Sequence, residues 1–256
     1  MRPILATFLV LLLASCASTP IDTNPNASAS DLYQNAMHLL NHKDYNTAIK
    51  EFQTLEARYP YGIYSTQAQL DVAYAYYKQD DQESANEACD SFIKLHPNNP
   101  HVDYAYYLKG LANFNYHSDF MSRISHQDMA LRDPKETRAS FFAFRTLITR
   151  FPKSRYAPDA RQRLVFLVNE LSHYEISVGR YYLKRGAWVA AANRAKYVLV
   201  HYPESNQARN ALLLEIAAYQ KLGLTHLAND TEKVLHLNFP DSRPVAQASA
   251  GEHHKA

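Results

Sequence analysis

The sequence predicts an all-α chain, a solenoid of five helical hairpins. Five segments close on an aromatic residue or histidine followed by proline: Tyr59-Pro60, His96-Pro97, Phe151-Pro152, Tyr202-Pro203 and Phe239-Pro240. Twelve residues before each proline stands a small residue (Ala48, Ala85, Ser140, Ala191, Ala228), and five before it an apolar one (Leu55, Phe92, Leu147, Val198, Leu235). Glycine is scarce, at 6 of 256 residues, and the apolar periodicity runs in long segments, which argues against a β-rich fold.

Each position has a physical role. Proline lacks an N–H and restricts the residue before it, so it stops a helix. The small residue admits a neighbouring helix, and the apolar one lies two turns on, on the same face. The pattern resembles the tetratricopeptide repeat, a helical hairpin of about 34 residues. In the first two repeats Ala36 and Ala73 take the small slot of the first helix. The third departs from the pattern, with residues 117–136 inserted between its helices. In the fourth, Gly179, Tyr182, Gly186, Trp188 and Ala191 fall on the pattern; Gly223 and Ala228 do so in the fifth. Pro158 to Arg185 reads as one helix of roughly 40 Å, with Pro158 in its first turn. Such hairpins stack because none buries its apolar face alone; first helices line the inner surface and second helices the outer one.

The ends read differently. Ile4 to Leu13 is an apolar run after Arg2, too short to span a bilayer and suited to a signal peptide. Leu13-Ala14-Ser15-Cys16 resembles the lipobox of bacterial lipoproteins, which implies cleavage before Cys16 and a covalent diacylglycerol and N-acyl chain on it. Several acyl chains hold a protein at a membrane where one holds only reversibly. The alternative is an ordinary secretory peptide cleaved near Ala14 or Ala17. The expected organisation is a signal peptide at 1–15, lipidated cysteine and tether at 16–30, three repeats at 31–155, two at 156–240, and a disordered tail at 241–256. Asp at the position of Ala17 favours inner-membrane retention in enteric bacteria; its absence here resembles a lipoprotein sent to the outer membrane.

The formal net charge is +2, so electrostatics predict no nucleic-acid partner. After Cys16 only Cys89 remains, and it reads as a small core residue. There is no GxSxG, HExxH or P-loop motif. His38 and His42, four apart on a helix, lack a third ligand; His253-His254 reads as solvated. Asp80-Asp81, and Asp133 with Glu136, read as turn and cap residues. No metal or cofactor is expected, and a binding protein is favoured over an enzyme.

Threading the repeat places Tyr33, Met37, Leu40, Leu70, Tyr74, Tyr77, Tyr104, Tyr107, Leu111 and Phe114 on the inner face. A solvated face would carry charges there. The list suits a groove for an apolar, extended peptide. The competing reading packs these residues on adjacent helices or covers them with the insertion near Phe120 and Met121.

More specific stretches are Tyr59-Pro60-Tyr61-Gly62-Ile63-Tyr64-Ser65, Gln69-Leu70-Asp71-Val72-Ala73-Tyr74-Ala75-Tyr76-Tyr77-Lys78, Arg132-Asp133-Pro134, Arg163-Leu164-Val165-Phe166-Leu167 and Tyr181-Tyr182 running to Arg185-Gly186-Ala187-Trp188-Val189-Ala190 and Asn193-Arg194. Together they resemble the BamD family, also called ComL or YfiO, over about residues 16–240. The resemblance implies a lipid-anchored subunit of the outer-membrane β-barrel assembly machinery on the periplasmic face. Its implied partners are a BamA-like insertase, through that protein's last POTRA domain, other assembly lipoproteins and unfolded β-barrel proteins. Arg194 matches a family arginine important for the insertase contact. It is expected to face outward, with Arg185 nearby and Trp188 in a core aromatic slot that shapes the surface. The N-terminal repeats are implied to recognise a substrate's C-terminal β-signal, which the aromatic groove fits. Competing functions are a repeat scaffold for murein enzymes and a role in DNA uptake.

Overall fold

The computed structural model describes residues 26–114 and 134–240. The signal peptide, Cys16, most of the tether, residues 115–133 of the insertion region and the tail at 241–256 lie outside the described residues. Ten α-helices are present among those described: α1 Ala29–Asn41, α2 Tyr45–Arg58, α3 Ile63–Lys78, α4 Gln82–Leu95, α5 Val102–Ala112, α6 Lys135–Arg150, α7 Ala157–Lys184, α8 Trp188–His201, α9 Ala208–Lys221 and α10 Thr225–Asn238. Among the described residues α1 with α2, α3 with α4, α7 with α8 and α9 with α10 pair as hairpins, the all-α repeat architecture expected. No helix among the described residues is long and apolar enough to cross a membrane.

The repeat signature is visible atom by atom. Tyr59, His96, Phe151, Tyr202 and Phe239 each follow the last residue of a second helix. Each donates its N–H to the carbonyl of the apolar residue four back: Leu55, Phe92, Leu147, Val198 or Leu235. Those five apolar residues and the five small ones are all buried. The turns inside the hairpins repeat as well. Lys43, Asp80, Gly186 and Gly223 have φ of 66°, 59°, 76° and 72°. The next residue in each turn closes a six-residue loop back to the helix, as Asp44 N–H does to Leu39 O and Ala187 N–H to Tyr182 O, both at 3.0 Å. Asp44 and Asp81 then cap α2 and α4 by accepting from Thr47 and Ser84 N–H, so Asp80-Asp81 is a turn and cap pair.

The chain divides into two compact units, one ending at Leu108 and one beginning at Lys109. In the first, α1 packs on α2, α2 on α3 and α3 on α4, around Phe52, Leu55 and Leu32. Cys89 is buried with Ala73 and Leu108. The first helix is capped at Ser28. Ser28 and Asp31 form a capping box, Ala27 is buried, and Tyr59 Oη donates to Ala27 O at 2.8 Å. In the second unit α6, α7, α8, α9 and α10 pack each on the next, and α7 also meets α9. Here α7 is the single long helix expected, with proline in its first turn. Gly110 takes the small slot of the third repeat: a Cβ there would collide with the Phe144 ring, and Ser140 Oγ donates to Gly110 O at 2.9 Å.

Candidate functional site

The second unit holds a charged cluster built by three helices. Glu175 projects from α7 and is 1% exposed. Its position continues the apolar stripe of Leu164, Leu167 and Leu171, so the carboxylate points into the helix packing. Both its oxygens are used. Arg138 of α6 donates Nη2–H to Oε1 at 2.8 Å, and Arg194 of α8 donates Nη1–H to Oε2 at 2.7 Å. The two arginine side chains remain 32% and 36% exposed. The hydrogen bond to Glu175 raises the Arg194 pKa further above its ordinary value. Arg194 also lies 6.0 Å from the Tyr182 ring centre, and Arg138 the same distance from that of Tyr174.

The backbone fixes this geometry. Gly179 lies one turn after Glu175, and a Cβ there would sit 2.5 Å from Leu214 Cδ2 and 3.2 Å from Arg194 Cβ. Glycine therefore lets α8 approach α7 closely enough for Arg194 to reach Glu175. The expectation that Arg194 faces outward holds only in part: the guanidinium is half-buried because one edge turns inward to Glu175. Trp188 differs more. It is the first residue of α8, at the hairpin turn, and is 36% exposed rather than in the core. A helix's first turn projects past its neighbour, which leaves the indole uncovered on one side. Val189 beside it is also exposed. Arg185 caps the end of α7 and stacks on Tyr181, with its guanidinium 5.4 Å from the ring centre. Arg185 and Arg194 thus turn to different partners.

The first unit carries most of the aromatic residues expected to line the inner face. Leu40 and Leu70 are buried, so they serve helix packing and do not line a surface. Tyr33 and Met37 pack on the α1–α3 core; Tyr74, Tyr77 and Tyr104 pack beside Ala73, Cys89 and Leu108. Tyr107 is half-buried in the first unit; Leu111 and Phe114, half-buried too, belong to the second. These tyrosines are half-buried and pack on adjacent helices. A polar network holds Tyr33: its Oη donates to Asp71 at 2.8 Å, and Gln67 donates to the other carboxylate oxygen at 3.2 Å. Burial raises the Asp71 pKa above the ordinary carboxylate value, against those two hydrogen bonds. His38 and His42 rings stack 4.1 Å apart, and no group of three metal-ligating side chains occurs among the described residues.

Charge separates with the units. Residues 26–108 carry eleven Asp and Glu against five Lys and Arg; the described residues from 109 to 240 carry seventeen Lys and Arg against eight Asp and Glu. The near-neutral total hides an acidic unit and a basic one. Many of the basic unit's arginines lie over aromatic rings, among them Arg145 on Phe141 and Phe142 and Arg155 on Tyr156.

The profile of the YfiO family, described as outer membrane lipoprotein, matches residues 25–235. Among curated proteins, the outer membrane protein assembly factor BamD of Neisseria meningitidis serogroup A is 44% identical, covering 94% of this chain and 93% of its own. The protein of that name in Vibrio cholerae is 38% identical over 89% of this chain and 94% of its own. That of Haemophilus influenzae is 35% identical over 89% and 86%. On these grounds the chain belongs to the BamD (YfiO) family of outer membrane lipoproteins.

Proposed function

We propose that this chain is a non-catalytic subunit of the machinery that assembles β-barrel proteins in the outer membrane, lipid-anchored on the periplasmic face. It scaffolds the insertase and helps deliver barrel substrates; it makes and breaks no bond itself. The observation that carries this reading is likeness along nearly the whole chain, since relatives named as assembly factors match 89–94% of it. A stack of helical hairpins suits the role, because it offers long surfaces for partners.

The finer assignments follow. Cys16 carries the diacylglycerol and N-acyl chain. The insertase docks through its last POTRA domain on the basic unit, at Arg194 with Arg185 and Trp188. The half-exposed arginine and the exposed indole at one hairpin support this choice, because arginine and tryptophan are frequent anchors of interfaces. The half-buried tyrosines of the first unit take the extended C-terminal segment of an unfolded barrel, by weak contacts that let the substrate move on.

Affinity purification from outer membranes in mild detergent tests the whole reading. A large barrel protein with POTRA domains should co-purify with the wild-type chain and be lost with Arg194→Glu. Recovery of murein enzymes alone would overturn the assembly role. Retention of the barrel protein by the variant would remove only the Arg194 contact.

A further inference from the structure

We infer that Glu175 is a positioning residue for docking, holding Arg138 and Arg194 side by side as a two-armed seat for one carboxylate of the insertase. The inference rests on the docking role of Arg194 and extends it to two further residues, Glu175 and Arg138. Three features support it. First, one carboxylate holds both guanidiniums, each through a single nitrogen, so the two donor nitrogens lie within about 8 Å of each other. Two like charges that close repel and would otherwise splay apart. Second, Glu175 is buried while both arginines keep about a third of their surface exposed. Glu175 takes one nitrogen of each guanidinium and Tyr182 also bonds Arg194, which leaves further N–H donors on each five-donor head. Third, the cluster carries one net positive charge on a unit already rich in arginine, so an incoming carboxylate is attracted rather than repelled.

A free arginine side chain has large rotamer freedom that binding must remove. Here Glu175, with the Tyr174 and Tyr182 rings beneath the guanidiniums, removes it in advance. Glu175 touches no partner itself. It acts through the two arginines, and Gly179 one turn away keeps α8 close enough for the arrangement to close.

The test measures affinity of the full-length mature chain for a purified periplasmic fragment of the insertase containing its last POTRA domain. Glu175→Gln should weaken binding about tenfold, equivalent to ~1.4 kcal/mol, mainly through faster dissociation. The same change added to Arg194→Ala should weaken it less than in wild type, because only the Arg138 arm is left for Glu175 to act through. Arginine Nε–H signals in NMR provide a readout that a purely structural role would not give. In the wild type, signals of both Arg138 and Arg194 should shift on adding the fragment; in Glu175→Gln they should collapse toward free arginine. If Glu175→Gln fails to fold, Arg138→Gln replaces it: it leaves the Glu175–Arg194 pair in place and should still weaken binding severalfold. Unchanged or tighter binding by a folded Glu175→Gln, or no shift of Arg138, would overturn the seat alone. Full affinity in Arg194→Ala would overturn the docking role and this inference together.

Discussion

Gly179 and Arg194 face each other across the α7–α8 contact, and a Cβ on the glycine would lie 3.2 Å from Cβ of the arginine and 2.5 Å from Leu214 Cδ2. Gly179→Ala should therefore overpack the hairpin and cost about 1–3 kcal/mol. Docking should weaken with it, since α8 moves away from Glu175. Urea unfolding and binding to the insertase fragment check the two effects. A variant as stable as wild type would show that the helices shift without penalty.

Gly186 gives a contrasting outcome. A Cβ there meets nothing within 4 Å, but φ is +76°. Gly186→Ala should cost about 1 kcal/mol through backbone strain alone. At the equivalent turn of the first hairpin, Lys43 has φ 66°, and Lys43→Gly should be neutral or slightly stabilising. Thermal melts of the pair check this: a large loss with Lys43→Gly would place the lysine side chain, rather than its backbone, in the stability of the turn.

Asp71 predicts a pH dependence of definite sign. Burial raises its folded pKa above the unfolded value, so the native state binds the proton more tightly. The stabilisation from protonation is fully present below the unfolded pKa near 3.8 and is lost as pH rises through the raised folded value. The difference in stability between Asp71→Asn and wild type should therefore grow in the variant's favour as pH rises from 4 to 7, because wild type alone carries the buried charge. Urea midpoints of both at several pH values measure it, and parallel curves would mean that the Tyr33 and Gln67 hydrogen bonds fully offset burial.

Phe144 is fully buried, packs on Gly110 and meets the Phe114 ring edge-on with centres 6.2 Å apart. Phe144→Ala should cost about 3–5 kcal/mol. Hydrogen exchange should show the loss in α6 and α7. A change under 1 kcal/mol would mean the third hairpin repacks.

Tyr74 and Tyr77 test the aromatic face. Their double replacement by alanine should weaken binding of a barrel protein's C-terminal peptide severalfold. Both also pack on the core, so the melting temperature should fall too. Replacing the buried Leu70 by Val separates the effects: it should lower stability while leaving peptide affinity unchanged, and a parallel loss of both would tie the tyrosines to packing alone.

The sequence by itself determined the helices, their ends and their pairing, because those depend on contacts within a few residues. Proline after an aromatic ends a helix wherever it occurs, and the residues at Ala48 and Leu55 recur at one spacing in every repeat. It determined the family as well, through stretches such as Tyr59 to Ser65. Glu175 was not singled out from the sequence, although a charge within an apolar stripe signals that something must pair with it. Arg138 and Arg194 lie 37 and 19 residues away, and only the packing of α6 and α8 on α7 selects them. The same holds for the exposure of Trp188 and the burial of Leu70. A repeat pattern fixes which residue takes a slot, but solvent access is decided by what the neighbouring helix covers. The division into an acidic and a basic unit needed the structure for one reason: the residues were always countable, but only the contacts show where one compact unit ends.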